Sequence, residues 1–294
     1  MRAKRIVYRA YRTLKNRLQG KTGLPTQVFF RLLRVAEYLL SENRKSDPRQ
    51  DRIWEEEYKT RYGGGPLFHL QTNHPVAVGT TDHQLPRGAI RDSTTHPPFN
   101  RALRKLFPRI SYRVLDLGCA GGGMVGAFLK EGVDAVGLEG SDHPRRLGLG
   151  EWRRCPLHLF TCDITEEFYL RDSGGEIAKF DVVTGWEVLE HIPEDKLDGL
   201  ISNISRHLKP GGYFIASVDQ TPDMDPLTGA VYHQTLRPKD WWLNKFSHQG
   251  FREVSAHPFR TEDYVRGNAV GIKDWDPAAG DGFHLVLRLE IRNA

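Results

Sequence analysis

The sequence predicts an α/β fold: a seven-stranded, mostly parallel sheet with helices on both faces, preceded by an N-terminal helical extension. Three observations predict it. Beyond residue 112, short apolar runs with strand character recur; helical or turn segments of suitable length separate most of them; and the first run ends in a glycine turn that opens an apolar helix. Strands that alternate with helices imply parallel pairing, with helices packed on both faces of the sheet.

The N-terminal arm comes first in the chain. Residues 1–50 hold thirteen lysines and arginines against three acids, so a strongly basic arm precedes a mildly acidic body within a chain of net charge +5. Val7, Tyr11, Leu14 and Leu18 recur at helical spacing among Arg5, Arg9, Arg12 and Lys15, and Phe29, Leu32, Leu33, Ala36 and Leu40 form a second apolar face. A basic amphipathic helix can lie on an anionic membrane surface. Its apolar face can also pack on the body of the protein or on a second subunit. No aromatic and glycine signature of RNA binding accompanies it, so nucleic acid ranks below membrane as a partner.

Residues 47–62 read as a further helix, ended by Gly63, Gly64, Gly65 and Pro66. Residues 66–100, rich in Pro, His, Thr and Gly, read as a long loop, either functional or simply solvated. The strand-like runs then follow at Arg113–Leu117, Ala135–Glu139, Leu157–Cys162, Asp181–Thr184, Tyr213–Val218, Phe251–Ser255 and His284–Ile291, the last two expected as an antiparallel edge pair. The division is a basic arm over 1–45, a helix with an acceptor-side cap over 46–108, and the α/β domain over 109–294.

Composition narrows the class. With 39% hydrophobic and 27% charged residues, the chain is neither collagen-like, nor a disulfide scaffold, nor wholly disordered. No stretch approaches the roughly 18 apolar residues that span a bilayer, and the first residues lack the apolar core of a secretory signal. Three cysteines, Cys119, Cys155 and Cys162, point to a reducing compartment. The expectation is a cytoplasmic protein, with the arm docked at the inner face of a membrane as one reading.

The chemistry starts at Val114–Leu115–Asp116–Leu117–Gly118–Cys119–Ala120–Gly121–Gly122–Gly123, a strand running into a glycine turn before the helix Met124–Leu129. Such a turn lets backbone approach a ligand at a helix N-terminus. Glu139 closes the second strand, where a carboxylate can accept both hydroxyls of a ribose, and Asp163 closes the third, where it can meet the amino group of a base. Asp116 narrows the nucleotide. A carboxylate there repels a pyrophosphate and suits a ligand bearing an ammonium and a sulfonium, as S-adenosylmethionine does. The alternative is a buried aspartate that only orients the turn.

These residues resemble the class I S-adenosylmethionine-dependent methyltransferases over roughly residues 112–255. Further stretches carry the likeness: Gly137–Leu138–Glu139, Phe180 to Pro193 with Trp186–Glu187–Val188–Leu189–Glu190–His191, and Leu208–Lys209–Pro210–Gly211–Gly212–Tyr213–Phe214. One departure is Ala120 at the second of the family's alternating glycines. The resemblance implies a Rossmann-like fold. It also implies that Asp116 and the backbone of Gly118, Cys119, Ala120, Gly121 and Gly122 hold the methionine moiety. Glu139 and Gly140 would take the ribose, Asp163 and Ile164 the adenine, and Trp186 or Glu187 would border the transferring methyl.

Glu187, Glu190 and His191 stand at i, i+3 and i+4 where a helix is expected to begin, so one face would carry all three. His233, after the fifth strand of the sheet, should reach the same edge. Two carboxylates and two imidazoles suit a divalent cation, Mg²⁺ or Mn²⁺. The spacing is similar to that of ubiquinone-pathway O-methyltransferases and small-RNA 2′-O-methyltransferases. The glutamates can instead serve the helix start and the histidine pack locally. A hydroxyl acceptor must lose a proton, and His191 and His233 are the candidate bases, with Glu187 beside the methyl.

The acceptor-side stretch holds His69, His74, Asp82, His83, Arg87, Arg91, Asp92, His96 and Asn100. So many polar groups favour a small polyhydroxylated acceptor such as a sugar or cell-surface saccharide. A quinone-like lipid, an RNA 2′-hydroxyl, and an inactive cofactor-binding scaffold are the competing readings. Trp241, Trp242 and Phe246 read as core rather than as an acceptor platform.

Overall fold

The structure is a computed structural model that describes residues 48–108, 112–266 and 282–290. The basic arm over 1–45 lies outside the described residues. Seven strands form the main sheet: β2 (Arg113–Leu117), β3 (Asp134–Glu139), β4 (Leu159–Thr161), β6 (Phe180–Trp186), β7 (Leu208–Asp219), β8 (Phe251–Glu253) and β9 (Gly282–Leu289), in the order β4-β3-β2-β6-β7-β9-β8. Pairing is parallel from β4 through to β7 and antiparallel on both sides of β9. The expected seven strands are present. The last two runs form the expected antiparallel edge pair, with β9 between β7 and the edge strand β8. The register explains this: β9 is long enough to pair with β7 from Tyr213 to Asp219, whereas three-residue β8 cannot cover that length.

The central strands are apolar on both faces, as parallel strands under two helical layers must be. Alternate residues feed two cores. Leu115, Val136, Val183 and Ala216 face one, with Phe168, Ile201, Trp242 and Phe246. Val114, Ala135, Val182 and Ile215 face the other, with Trp54, Tyr58, Phe99 and Phe128. Trp242 and Phe246 are fully buried, as core residues should be. The helices supply the covers: α1 (Pro48–Tyr62), α4 (Pro97–Leu106), α5 (Gly123–Lys130), α7 (Leu197–His207) and α8 (Lys239–Ser247). Pro97 and Pro98 open α4, where a missing N–H costs nothing. No helix among the described residues is long and apolar enough to cross a membrane. The three cysteines are buried and unpaired.

The stretch read as a loop is more structured than its composition suggests. It contains β1 (Phe68–Thr72), paired antiparallel with β5 (Phe168–Asp172), and two short helices, α2 (Thr81–Gln84) and α3 (Arg87–Arg91). Phe68 and Leu70 point inward, and Phe68 stacks on Phe180. Histidine and proline neighbours mask this five-residue alternation in the sequence. Residues 223–232 group apart from the main body; within them Met224 bridges Val231 and the Asp225 carboxylate caps Leu227 and Thr228.

The chain runs β2, β3, β4 to one side and then returns to β6 and β7 on the other. The switch falls between β2 and β6, and the crevice at the carboxyl ends of those strands is where this topology leaves room for a ligand.

Candidate active site

Asp116 lies within β2, one residue before its end, and is buried beside Thr184 of β6, whose hydroxyl donates to it at 2.6 Å. Burial pushes its carboxyl up to about 7, despite that hydrogen bond, with Asp92 and Glu139 adding to the rise. Glu139 ends β3, and burial pushes it to about 7 as well. Its two oxygens accept from the backbone of Ala120 at 2.8 Å and of Ser141 at 2.9 Å. Two buried carboxylates, poised between charged and neutral, thus close adjacent strands. This donor set fits a cation with a ribose and is a poor fit for a pyrophosphate.

The glycine turn is held from outside as well as within. Gly118 and Gly122 have φ of +64° and +78°, and Ala120 also lies in the left-handed region at +45°. A Cβ on Gly121 would come within 2.5 Å of the Asp92 carbonyl, and one on Gly123 within 2.3 Å of the Ser93 carbonyl. The N–H of Gly121 donates to the Asp92 carbonyl at 2.7 Å. Part of the glycine run therefore exists to admit residues 92–94. Elsewhere the same cap touches the neighbouring strand ends: the Ala77 N–H donates to the Gly140 carbonyl, and the Asp163 N–H donates to the His74 carbonyl, each at 2.9 Å. The Asp163 side chain is bound to Thr165, and Ile164 is buried beside it. Cys119 is buried, which holds its thiol neutral.

At the end of β6 the chain turns sharply. Glu187 has φ +54°, rare for a non-glycine residue. Its N–H donates to Ser217, and its carboxylate meets Arg266 at 2.9 Å. The expected helix does not begin there: Leu189–His191 is a single 3₁₀ turn, and α7 starts only at Leu197. Glu187, Glu190 and His191 consequently do not share a helix face. Glu190, His191 and His233 still converge, offering ligand atoms within 4.8 Å of one another, while Glu187 is directed to Arg266.

Glu190 is fully buried, and burial together with Glu187 raises its pKa. One oxygen accepts from the Asp219 N–H at 2.9 Å; the other, Oε2, is buried without a hydrogen-bond partner. Its main-chain carbonyl accepts from Gln234 and Thr235, which brings His233 to the site. His191 Nδ1 bonds Asp82 at 2.9 Å, and His233 Nδ1 bonds the Thr221 carbonyl at 2.5 Å. A carbonyl only accepts, so Nδ1 of His233 carries the proton, and a carboxylate favours the same tautomer for His191. Both rings then hold their lone pair on Nε2, the arrangement that basic and metal-binding histidines require. The rings stand edge to face with centroids 4.8 Å apart.

Sequence reasoning had not given a role to Asp82, Thr184 or Arg266. Asp82 stood out only as one polar residue among many, and nothing local links it to His191, 109 residues away. Trp186 packs edge-on against Phe99 of α4 at 4.7 Å.

Residues 83–262, more than half of the chain, match the family model described as a methyltransferase domain. Curated relatives include the ubiquinone biosynthesis O-methyltransferase of Pasteurella multocida, 32% identical over 136 residues that cover 43% of this chain and 55% of that protein. The protein of the same name from Pseudomonas aeruginosa is 29% identical over 171 residues, covering 57% and 63%. The chain thus spans little more than half the length of the curated relatives it matches. Among solved structures, a 1,6-didemethyltoxoflavin-N1-methyltransferase from Burkholderia thailandensis is 17% identical at TM-score 0.47, covering 72% of this chain and 85% of that one. An amino pentose methyltransferase from Micromonospora echinaspora is 18% identical at TM-score 0.44, covering 70% and 95%. With the family model spanning the strands and turns that carry Asp116, Glu139 and His191, the chain belongs to the class I S-adenosylmethionine-dependent methyltransferases.

Proposed function

We propose that the chain O-methylates a small polyhydroxylated acceptor, such as a sugar or cell-surface saccharide, at a hydroxyl held beside His191 and His233. The observation that carries this reading is the convergence of two oriented imidazoles with the buried, unpartnered Oε2 of Glu190. An amine acceptor can lose its proton to water, whereas a hydroxyl needs a base or a cation to acidify it.

At the cofactor end, Asp116 accepts the ammonium, Glu139 with Gly140 takes the ribose, and Asp163 with Ile164 frames the adenine. The backbone from Gly118 through Cys119, Ala120, Gly121 and Gly122 lines the methionine moiety, and Trp186 borders the methyl. When bound, the cofactor supplies a methyl on a sulfonium, the electrophile of an in-line displacement. His191, oriented by Asp82, would take the hydroxyl proton at Nε2. Arg266 holds Glu187 beside that hydroxyl. Alternatively Glu190, His191 and His233 would hold Mg²⁺ or Mn²⁺, with Glu187 outside the set; His191 Nε2 is then a ligand, and the ion in place of the imidazole acidifies a hydroxyl that it binds. The cap within 46–108 shuts water from both ends. The arm over 1–45 serves as a membrane-docking segment.

A second reading, a quinone-like acceptor, is favoured by a cavity of about 510 Å³ lined by Gln220, His257, Phe259, Tyr264 and His284, and by the names of the curated relatives. A labelled-methyl transfer assay over saccharides, diphenols and amines decides between them. The proposal expects an O-methyl product, lost after chelation and restored by Mg²⁺ or Mn²⁺. Methylation of amines alone overturns it, and full activity after exhaustive chelation removes the cation.

A further inference from the structure

A second cluster of ligating side chains lies outside this machinery. His83 is on α2, next to Asp82, while Asp142 and His143 begin α6 (His143–Leu147), two residues beyond the Glu139–Gly140 strand end. All three offer ligand atoms within 4.8 Å of one another. Asp142 Oδ1 sits 3.9 Å from His83 Nδ1 and 3.8 Å from His143 Nδ1. The exposed Arg146 guanidinium stands 3.8 Å from the same oxygen. All three distances exceed hydrogen-bond length. Asp142 Oδ1 and His83 Nδ1 are nonetheless buried with no hydrogen-bond partner, the state that costs most for polar atoms. His143 Nδ1 and the Ser141 hydroxyl are hydrogen-bonded at 3.0 Å, a contact that an ion bound at Nδ1 replaces.

We propose that His83, Asp142 and His143 form a zinc site that clamps the cap to the end of β3. Two imidazoles and one carboxylate are a borderline-soft donor set that zinc accepts in tetrahedral geometry. A tetrahedral ion with bonds of about 2.0–2.1 Å separates its ligand atoms by roughly 3.4 Å. The observed spacings of 3.8 and 3.9 Å therefore need to close by only about half an ångström. The ion satisfies both orphaned atoms and displaces the guanidinium, which has water available. Water completes the fourth position. The site bridges two elements far apart in the sequence, and by fixing His83 it fixes Asp82 one residue earlier. That last link to His191 rests on the proposed acceptor chemistry; the zinc site itself does not.

The test is zinc content and melting temperature of the full chain, stripped with chelator and titrated with Zn²⁺. In an H191N/H233N background, which disables the other candidate cluster, one zinc per chain and a raised melting temperature are expected. Adding H83N/H143N should abolish both. H83N/H143N in the otherwise unchanged protein serves as a second comparison, expected to lose one zinc and the associated melting shift. An unchanged zinc stoichiometry in either comparison overturns the proposal, as does a background variant that folds and binds none. Neither readout depends on methyl transfer, so failure here is separable from failure of the proposed acceptor chemistry.

Discussion

The two ends of the site are built by different means. At the proposed cofactor end, Asp116, the glycine turn and Glu139 belong to two adjacent strands and the turn and helix between them, a short continuous stretch of chain. The proposed acceptor end draws Asp82 from the cap, Glu190 and His191 from a 3₁₀ turn, and His233 from a loop beyond β7. The first is fixed by strand pairing that the core already requires. The second joins a 3₁₀ turn anchored in the core by Leu189 and Ile192 to a cap and a loop through hydrogen bonds and the His191–His233 ring contact. A compact motif makes a robust cofactor site, while an assembled one leaves the acceptor chemistry open to change by small shifts of its loops.

The largest expected effect tests that contrast directly. H191N removes the proposed base but leaves β2 and β3 untouched, so kcat should fall by about 10²–10⁴-fold with cofactor affinity unchanged by calorimetry. D82N keeps the imidazole but loses its orienting carboxylate, and should cost less. Equal loss of cofactor affinity in H191N would mean that the two ends are one cooperative unit.

The contrast also governs what could be read from the sequence. Strand-forming runs, glycine turn and both carboxylates were legible because each depends on neighbours a few residues away. Even there the physical reason was incomplete. Gly121 and Gly123 are glycine because the Asp92–Thr94 backbone packs against them, not only because a ligand approaches. The Glu187–Glu190–His191 spacing suggested one helix face. The left-handed Glu187 and the 3₁₀ turn break that face, and the residue lost from the cluster is Glu187, which turns to Arg266. Asp82 and Arg266 were illegible for one reason: their partners lie far away in the chain, and only folding brings them close.

A smaller effect separates the ends by pH. Asp116 and Glu139 both have folded pKa values near 7, well above those of an unfolded carboxylate. Between about pH 4 and 7 the native state therefore holds more protons than the unfolded state, so these groups stabilise the cofactor-free protein at low pH and lose that contribution as pH rises through 7. A cationic ligand needs them ionised, so its affinity should fall below pH 7, by up to about tenfold per unit for each carboxylate. Melting curves should show the free protein gaining stability from pH 8 to pH 6 while the shift given by S-adenosylmethionine shrinks. D116N should lower affinity by about 10–100-fold and flatten the pH slope. A slope unchanged in D116N would assign the titration to Glu139 alone.

The smallest effect concerns Ala120, where the alternating glycines are interrupted. Its φ of +45° places a Cβ in the left-handed region, at a cost of about 1–2 kcal/mol. The position persists because Glu139 accepts its N–H and the Trp152 indole donates to its carbonyl, so the turn is held from both sides. Ala120→Gly removes the strain but frees the unfolded chain, which offsets roughly 0.5–1 kcal/mol. The net expectation is a gain of at most about 1 kcal/mol in denaturant unfolding, with kcat unchanged, since the acceptor end does not touch this turn. A loss of stability would mean that the Cβ packs usefully against the cap. Packing would then set the second glycine position, as the side chains of Leu159 and Glu151 crowd the third at Gly122.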